Sequence, residues 1–247
     1  MIKKIILFAD SKVGLKVLEF LKNNYSKDIF KVIINKDLKI REFCSNNEID
    51  YEEYISDESI INFINTNKID LGILAWWPKI ISKALLNSPK YGFINMHNSY
   101  LPFNRGKHPY FWTFIEGNPY GVTIHKVDEG IDTGDIINQK LIKYDWEDNA
   151  GTIYEKSLIE IVQLFEETYP LIKVKGLKSS IQSNKGTFHL GKELEIKSEI
   201  ILDKKYTARQ LFNLIRARTS SSSFPSSFFK EGNQKYRVKI FIEKDNN

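Results

Sequence analysis

The stretch Lys3-Lys4-Ile5-Ile6-Leu7-Phe8-Ala9-Asp10-Ser11-Lys12-Val13-Gly14 decides the fold class. Residues 3–9 are largely apolar without alternation, the pattern of a strand covered on both faces. A turn with Ser11 and Gly14 follows. Val13, Val17, Phe20 and Leu21 then recur on one face of a helix running to about Asn24. Working outward, the same alternation repeats. Phe30 to Asn35 reads as a second strand, and Ser59 to Asn67 as a helix with Ile60, Ile61, Phe63 and Ile64 inward. Asp70 to Trp76 reads as a third strand, Pro78 to Leu86 as a short helix and Gly92 to His97 as a fourth strand. Strands alternating with helices imply a parallel sheet with right-handed crossovers. Such sheets bind ligands at the carboxyl ends of their strands.

Beyond His97 the rhythm changes. Gly121 to Val127 and Asp135 to Ile142 are strand-like runs separated by Asp128-Glu129-Gly130-Ile131-Asp132-Thr133-Gly134, a loop rich in glycine and acid. Thr152 with Glu155 predicts a capping box opening a helix to about Tyr169. From about residue 176 the chain turns to Lys, Ser and short strands. Thr207 with Gln210 is a second capping box, residues 219–223 form a Thr/Ser loop, and Glu231-Gly232-Asn233 is a hairpin turn ahead of a strand from Tyr236 to Glu243. The expected fold is α/β: a Rossmann-like, mostly parallel sheet with helices on both faces over residues 1–180. A small β-rich module with one helix follows over residues 181–247.

The chain has 247 residues, 42% apolar and 27% charged, as in ordinary globular proteins. Its net charge of +5 is unevenly spread: residues 176–247 carry 14 basic and 7 acidic side chains, and residues 1–175 carry 22 and 24. The front of the chain is therefore not a general nucleic-acid surface. Cys44 is the only cysteine, which excludes an internal disulfide and a multi-Cys metal site. Ile5 to Ala9 is too short for the apolar region of a secretory leader, and Asp10 interrupts it. No run approaches the roughly 18 apolar residues of a membrane span. A cytoplasmic protein is expected.

The chemistry concentrates between Pro89 and Gly134. Three of four histidines (His97, His108, His125), six of thirteen glycines and four of seven prolines lie there. Asn95 and His97 alternate along the fourth strand and so share a face. Asp132, in the glycine-rich loop, can approach His97 and fix its tautomer. An amide donor, an imidazole and a carboxylate suit acyl transfer, and no Ser or Cys sits in a nucleophile elbow. The plainer readings stand beside this one. Asn95 and His97 can be capping or packing residues, Asp132 an Asx-turn residue, His125 a structural hydrogen-bonder, and His108 a loop residue. No two histidines have metal-ligand spacing, so no metal is assigned. Trp76-Trp77 suits either the core or a flat heteroaromatic ligand.

Four ordered segments carry a resemblance: Asn95-Met96-His97-Asn98-Ser99-Tyr100-Leu101-Pro102, Arg105-Gly106, Gly121-Val122-Thr123-Ile124-His125, and Asp128 through Asp135. Together they resemble the formyltransferase superfamily that uses N10-formyltetrahydrofolate, best over residues 70–175. Arg105 through Trp112, Ile215 through Thr219, Phe224-Pro225 and Phe228-Phe229 are similar to the nucleotide-sugar N-formyltransferases, which act on dTDP-linked amino-dideoxy sugars. The resemblance implies Asn95, His97 and Asp132 as the catalytic set. It implies N10-formyltetrahydrofolate as co-substrate, bound near Trp76, Trp77, Ile80, Asp132 and Gly134. The sugar nucleotide would meet Lys79, Arg105, His108, Arg216, Arg218 and Phe224. The acceptor expected is dTDP-4-amino-4,6-dideoxyglucose, for O-antigen synthesis, and a homodimer is expected. Other readings are another amine acceptor (a dTDP-3-amino sugar, methionyl-tRNA or a purine intermediate), a metal-dependent deacylase, and a non-catalytic nucleotide- or folate-binding protein.

Overall fold

Strand β1 (Ile5–Ala9) is buried at every position, which explains its unbroken apolar run: it lies inside the sheet with a neighbour on each side. The computed structural model describes residues 2–183, 185–220 and 225–245. The remaining strands of this sheet are β2 (Ile29–Ile34), β3 (Tyr51–Glu53), β4 (Leu71–Ala75), β5 (Phe93–His97), β7 (Gly121–Lys126) and β8 (Ile136–Leu141), in the order β3-β2-β1-β4-β5-β7-β8. The pairs β1–β2, β1–β4, β2–β3 and β4–β5 are parallel, and β5–β7 is antiparallel. The sheet is mostly parallel, as the alternating pattern predicts. Gly72 in β4 has no alternative, because the Phe93 ring occupies its Cβ position, 2.1 Å away.

The chain forms two compact units built from interleaved segments, whereas the expected boundary at 180/181 is a single cut. One comprises Met1–His97, Thr123–Gln139 and Glu160–Gln182; the other comprises Asn98–Val122, Lys140–Ile159 and Ser183–Asn247.

The first unit holds the parallel strands with helices α1 (Ser11–Tyr25), α2 (Leu38–Asn46), α3 (Asp57–Asn67) and α4 (Lys83–Leu86). Its core packs Ile6, Phe8, Ile33, Ile60, Ile64, Leu74 and Phe93 together. Helix α4 is shorter than the expected Pro78–Leu86, because Ser82 caps it by accepting from the Leu85 N–H at 3.2 Å. Helix α2 and strand β3 are additions to the sequence reading.

The second unit holds α5 (Pro109–Glu116), α7 (Glu193–Lys197), α8 (Ala208–Arg216) and two small sheets. These are β6 (Arg105–Gly106) beside β9 (Phe188–His189), and the hairpin of β10 (Ser227–Glu231) and β11 (Gln234–Val238). The Thr207/Gln210 capping box is present. Helix α6 (Ala150–Lys175) contributes to both units. Its cap is Asn149 rather than Thr152. Asn149 Oδ1 accepts from the Gly151 and Thr152 N–H groups, and Thr152 Oγ1 accepts from the Asn149 N–H. Thr152 thus plays the reciprocal role at the third helical position. Strand β11 stops at Val238, short of the expected Glu243, and Phe241 is exposed. Among the described residues, no helix is long and apolar enough to cross a membrane.

Candidate active site

The centre of the site follows from strand geometry. Asn95 and His97 lie two apart on β5 and share a face. The antiparallel register sets His125 of β7 directly opposite Asn95 and Thr123 opposite His97. Opposed residues point to the same side of a sheet, so His125 joins the other two. Asn95 Nδ2 lies 3.2 Å from Nε2 of His125. The two imidazole rings stand edge-on, 6.3 Å apart.

Asp132 completes the cluster from the loop between β7 and β8. One carboxylate oxygen lies 3.6 Å from Nδ1 of His97; the other lies 3.5 Å from Nε2 of His125 and accepts from Asn95 Nδ2 at 3.4 Å. His97 and His125 are both buried. The backbone of Asp132 is left-handed (φ 54°), a conformation that Asp tolerates better than most residues.

The loop that carries Asp132 is pinned along its length. Asp128 Oδ1 accepts from the Gly130 N–H at 3.1 Å and from the Thr133 hydroxyl at 2.6 Å. Gly134 presses against the Lys126 carbonyl, where a Cβ would come within 1.9 Å of the oxygen. Buried Gln182 donates through Nε2 to the Asp132 carbonyl at 2.9 Å and the Gly134 carbonyl at 2.6 Å. Lys83 of α4 meets Glu129 at 2.6 Å, tying the segment after β4 to this loop. His125 and Gln182 are the two residues that the sequence reading left out of the site. For His125 the alternation with Thr123 gives its face on β7 but not its partner on β5, which the register supplies. For Gln182, 50 residues from its partner, there was no signal.

The remaining expected site residues divide by unit. In the first, Trp77 packs edge-on against Phe8 and Tyr54, with ring centroids 5.1 Å and 5.5 Å away. Trp76 is half-buried with a left-handed backbone (φ 61°), and Ile80 is 87% exposed. Lys79 lies over the Tyr54 ring at 4.3 Å. Burial and the Asp57 carboxylate push the Tyr54 hydroxyl up to about 12.

In the second unit, Arg105 pairs through its backbone with Thr187. His108 has a left-handed backbone (φ 61°) and places Nδ1 2.9 Å from the Tyr110 hydroxyl. Burial, then the charges of Arg218 and Lys107, hold its imidazole below the usual histidine range. Arg216 donates from Nη1 to the Asp145 carbonyl at 2.7 Å and the Asp148 carbonyl at 3.3 Å, and from Nε to Asn213 at 3.0 Å. Phe114 and Trp146 lie against its guanidinium at 4.4 and 4.5 Å. Arg218 is also buried, meets Glu195 at 3.6 Å, and has a buried Nε with no hydrogen-bond partner among the described residues. Phe224 lies outside the described residues. Among the described residues, no group of three or more His, Cys, Asp or Glu side chains is placed to hold a metal ion.

A neutral amide, two imidazoles and a shared carboxylate at the end of strand β5 are groups suited to acyl transfer. Comparison with known proteins gives the family. Residues 4–167 match the family model described as formyl transferase, and the chain belongs to that family. Residues 193–244 match the N-formyltransferase dimerization C-terminal domain. A methionyl-tRNA formyltransferase from Thermodesulfovibrio yellowstonii is 34% identical over 165 residues, which is 66% of this chain and 53% of that protein. The chain thus spans about half the length of that relative. Among solved structures, a 4-N formyltransferase from Francisella tularensis is 27% identical. The match covers 98% of this chain and 99% of that one, with a TM-score of 0.80. An N-formyltransferase from Helicobacter canadensis, in complex with folinic acid and dTDP-3-aminofucose, is 25% identical over 88% of this chain and 80% of that one, with a TM-score of 0.71.

Proposed function

We propose that this protein transfers a formyl group from N10-formyltetrahydrofolate to the amine of a dTDP-linked amino-dideoxy sugar. The acceptor favoured is dTDP-4-amino-4,6-dideoxyglucose, and the setting is cytoplasmic synthesis of a surface polysaccharide such as O-antigen. The observation that carries the chemistry is the meeting of Asn95, His97 and Asp132 around one carboxylate. The likeness to a 4-N formyltransferase along nearly its whole length supports an acceptor amine at the 4 position.

The residues present fit a formyl-folate. Exposed Ile80 and the partly exposed Ile131 offer aliphatic surface for a flat pterin, and the folate brings the formyl carbon. The sugar amine attacks that carbon in its neutral form. Asp132 faces Nδ1 of His97, so that nitrogen carries the hydrogen and Nε2 is the basic one. Nε2 accepts the proton that the amine sheds as the new C–N bond forms, and returns it to N10 as the C–N10 bond breaks. Asn95 donates an amide N–H to the oxyanion, a contribution that typically amounts to about 10²–10³ in rate.

The diphosphate of the acceptor is assigned to Arg218, whose buried Nε has no hydrogen-bond partner among the described residues. Arg105 and His108, in the same compact unit as Arg218, are assigned to the same ligand. The matched C-terminal domain model supports a homodimer. A second reading, a dTDP-3-amino acceptor, has the Helicobacter canadensis relative in its favour.

The test is turnover of N10-formyltetrahydrofolate with dTDP-4-amino and dTDP-3-amino sugars, methionyl-tRNA and glycinamide ribonucleotide in parallel. Turnover with the 4-amino sugar is expected. Preference for the 3-amino sugar selects the second reading. Turnover with methionyl-tRNA or the ribonucleotide alone overturns both.

A further inference from the structure

His125 is the best buried of the cluster's side chains, at 2% exposed, and the proton transfers above do not use it. Its protonation pattern can nevertheless be read. Nδ1 lies 2.7 Å from the Lys126 carbonyl oxygen. A carbonyl only accepts, so Nδ1 carries the ring hydrogen. In the neutral ring Nε2 is then a lone pair, and it points at Asn95 Nδ2 from 3.2 Å. The other neighbour of that amide, Oδ1 of Asp132 at 3.4 Å, is also an acceptor. Two acceptors on one side of an asparagine fix its amide: the NH2 must face them, and since they lie only 3.5 Å apart one N–H is shared between them and the other stays free to donate. Rotated by half a turn, the amide would set its own oxygen against a lone pair and a carboxylate in a buried, weakly screened position.

We propose that His125 is a positioning residue for formyl transfer. Its Nε2 lone pair, set by the Lys126 carbonyl, holds the Asn95 amide with its NH2 toward the Asp132 carboxylate and so defines which end of Asn95 donates. The proposal rests on the reading of Asn95 as the oxyanion donor. It also explains why a histidine stands opposite Asn95. A longer or charged donor there would turn the amide around, and an aliphatic residue would leave it held from one side only. The Nδ1–H ring is the form that makes both contacts, to the Lys126 carbonyl and to Asn95. The charged or titratable groups facing it are Asp132 and, at 6.3 Å ring to ring, His97. The Lys126 ammonium is turned to Asp135.

Two measurements test this. Long-range ¹⁵N–¹H correlation spectra of the intact protein at neutral pH should show His125 as the Nδ1–H tautomer; an Nε2–H or doubly protonated ring overturns the proposal regardless of activity. Steady-state kinetics then separate positioning from packing. His125→Leu should lower kcat about 10- to 100-fold with the KM for the formyl donor nearly unchanged, as expected when a reacting group is mis-set by a fraction of an ångström. His125→Gln, whose Oε1 falls near the Nε2 position and accepts from Asn95, should recover most of that loss. A His125→Leu enzyme with wild-type kcat, or a Gln variant as slow as the Leu one, overturns it. If the Leu variant does not fold, the tautomer and the Gln variant decide. A wild-type protein with the expected tautomer and no turnover on any acceptor refutes the formyl-transfer reading instead.

Discussion

Asp132 sets one carboxylate oxygen 3.6 Å from Nδ1 of His97 and does so from a left-handed backbone. In the proposed mechanism this pairing sets the tautomer of His97 and supports the ring once it has accepted a proton. Asp132→Asn tests this cleanly, because asparagine also tolerates the left-handed region and the backbone need not move. The amide can offer an N–H to Nδ1 and reverse the tautomer. We expect kcat to fall by about 10²- to 10⁴-fold, the usual share of general acid–base catalysis, with the melting temperature close to wild type. Single-turnover assays with saturating formyl donor measure it. A loss below tenfold would show that the carboxylate does not orient His97.

The two arginines of the Ile215–Thr219 segment look alike in sequence and differ in their surroundings. Arg216 spends its donors on the Asp145 and Asp148 carbonyls and on Asn213, between two aromatic rings. Arg218 keeps a buried Nε with no hydrogen-bond partner among the described residues. Arg216→Met should therefore act on stability, leaving the buried Asp148 carbonyl without this donor at about 1–3 kcal/mol. Arg218→Gln should act on the acceptor, raising its KM at least about tenfold through loss of one charge-assisted contact. Thermal melts and acceptor titrations on both variants check the split, and an exchange of the two phenotypes would reverse the assignment.

Much of this was legible in the sequence, for definite reasons. Strands β1, β4 and β5 are buried on both faces, so their apolar runs announce themselves. Asn95 and His97 sit on the same strand, where period-two alternation suffices. Helix α2 was not legible, because only Ile40 and Cys44 face inward along its nine residues, too few to define a helical stripe. Helix α5 was hidden for the opposite reason. Residues Pro109 to Phe114 are all buried, so no polar face marks the period. The part played by His125 depends on the register of β5 against β7, a long-range property that one strand alone does not encode. The Thr152/Glu155 pattern misdirected the start of α6 because Asn149, three residues earlier, is an equally good cap and has Thr152 in position to reciprocate.

His108 gives the protein a predictable response to acid. Burial, aided by Arg218 and Lys107, holds its imidazole below the ordinary value of 6.5. Between the lowered folded value and 6.5 the unfolded chain binds a proton that the folded chain does not, so stability rises with pH there. The contribution is complete above about 6.5 and is lost as the pH falls below it. His108→Asn keeps a group able to bond the Tyr110 hydroxyl and suits the left-handed backbone, but does not titrate. Urea midpoints measured across this range should fall toward acid in the wild type and show a shallower fall in the variant. Parallel curves would mean that His108 titrates normally.

Gln182 reaches across 50 residues to the Asp132 and Gly134 carbonyls, and both bonds anchor the loop that presents the Asp132 carboxylate. Gln182→Met conserves length and bulk while removing both N–H donors. The buried Gly134 carbonyl and the part-buried Asp132 carbonyl then lose this donor, at about 1–3 kcal/mol for the one that is buried. The cheaper response is for the loop to turn those carbonyls toward water. That movement would carry Asp132 away from His97, so the variant should lose kcat about 10- to 100-fold, as for a displaced catalytic group. Amide hydrogen exchange should show faster exchange confined to residues 128–135, while β1, β4 and β5 keep their protection. Unchanged exchange in the loop together with full activity would mean that Asp128, Thr133 and the Gly134–Lys126 contact hold Asp132 in place without Gln182.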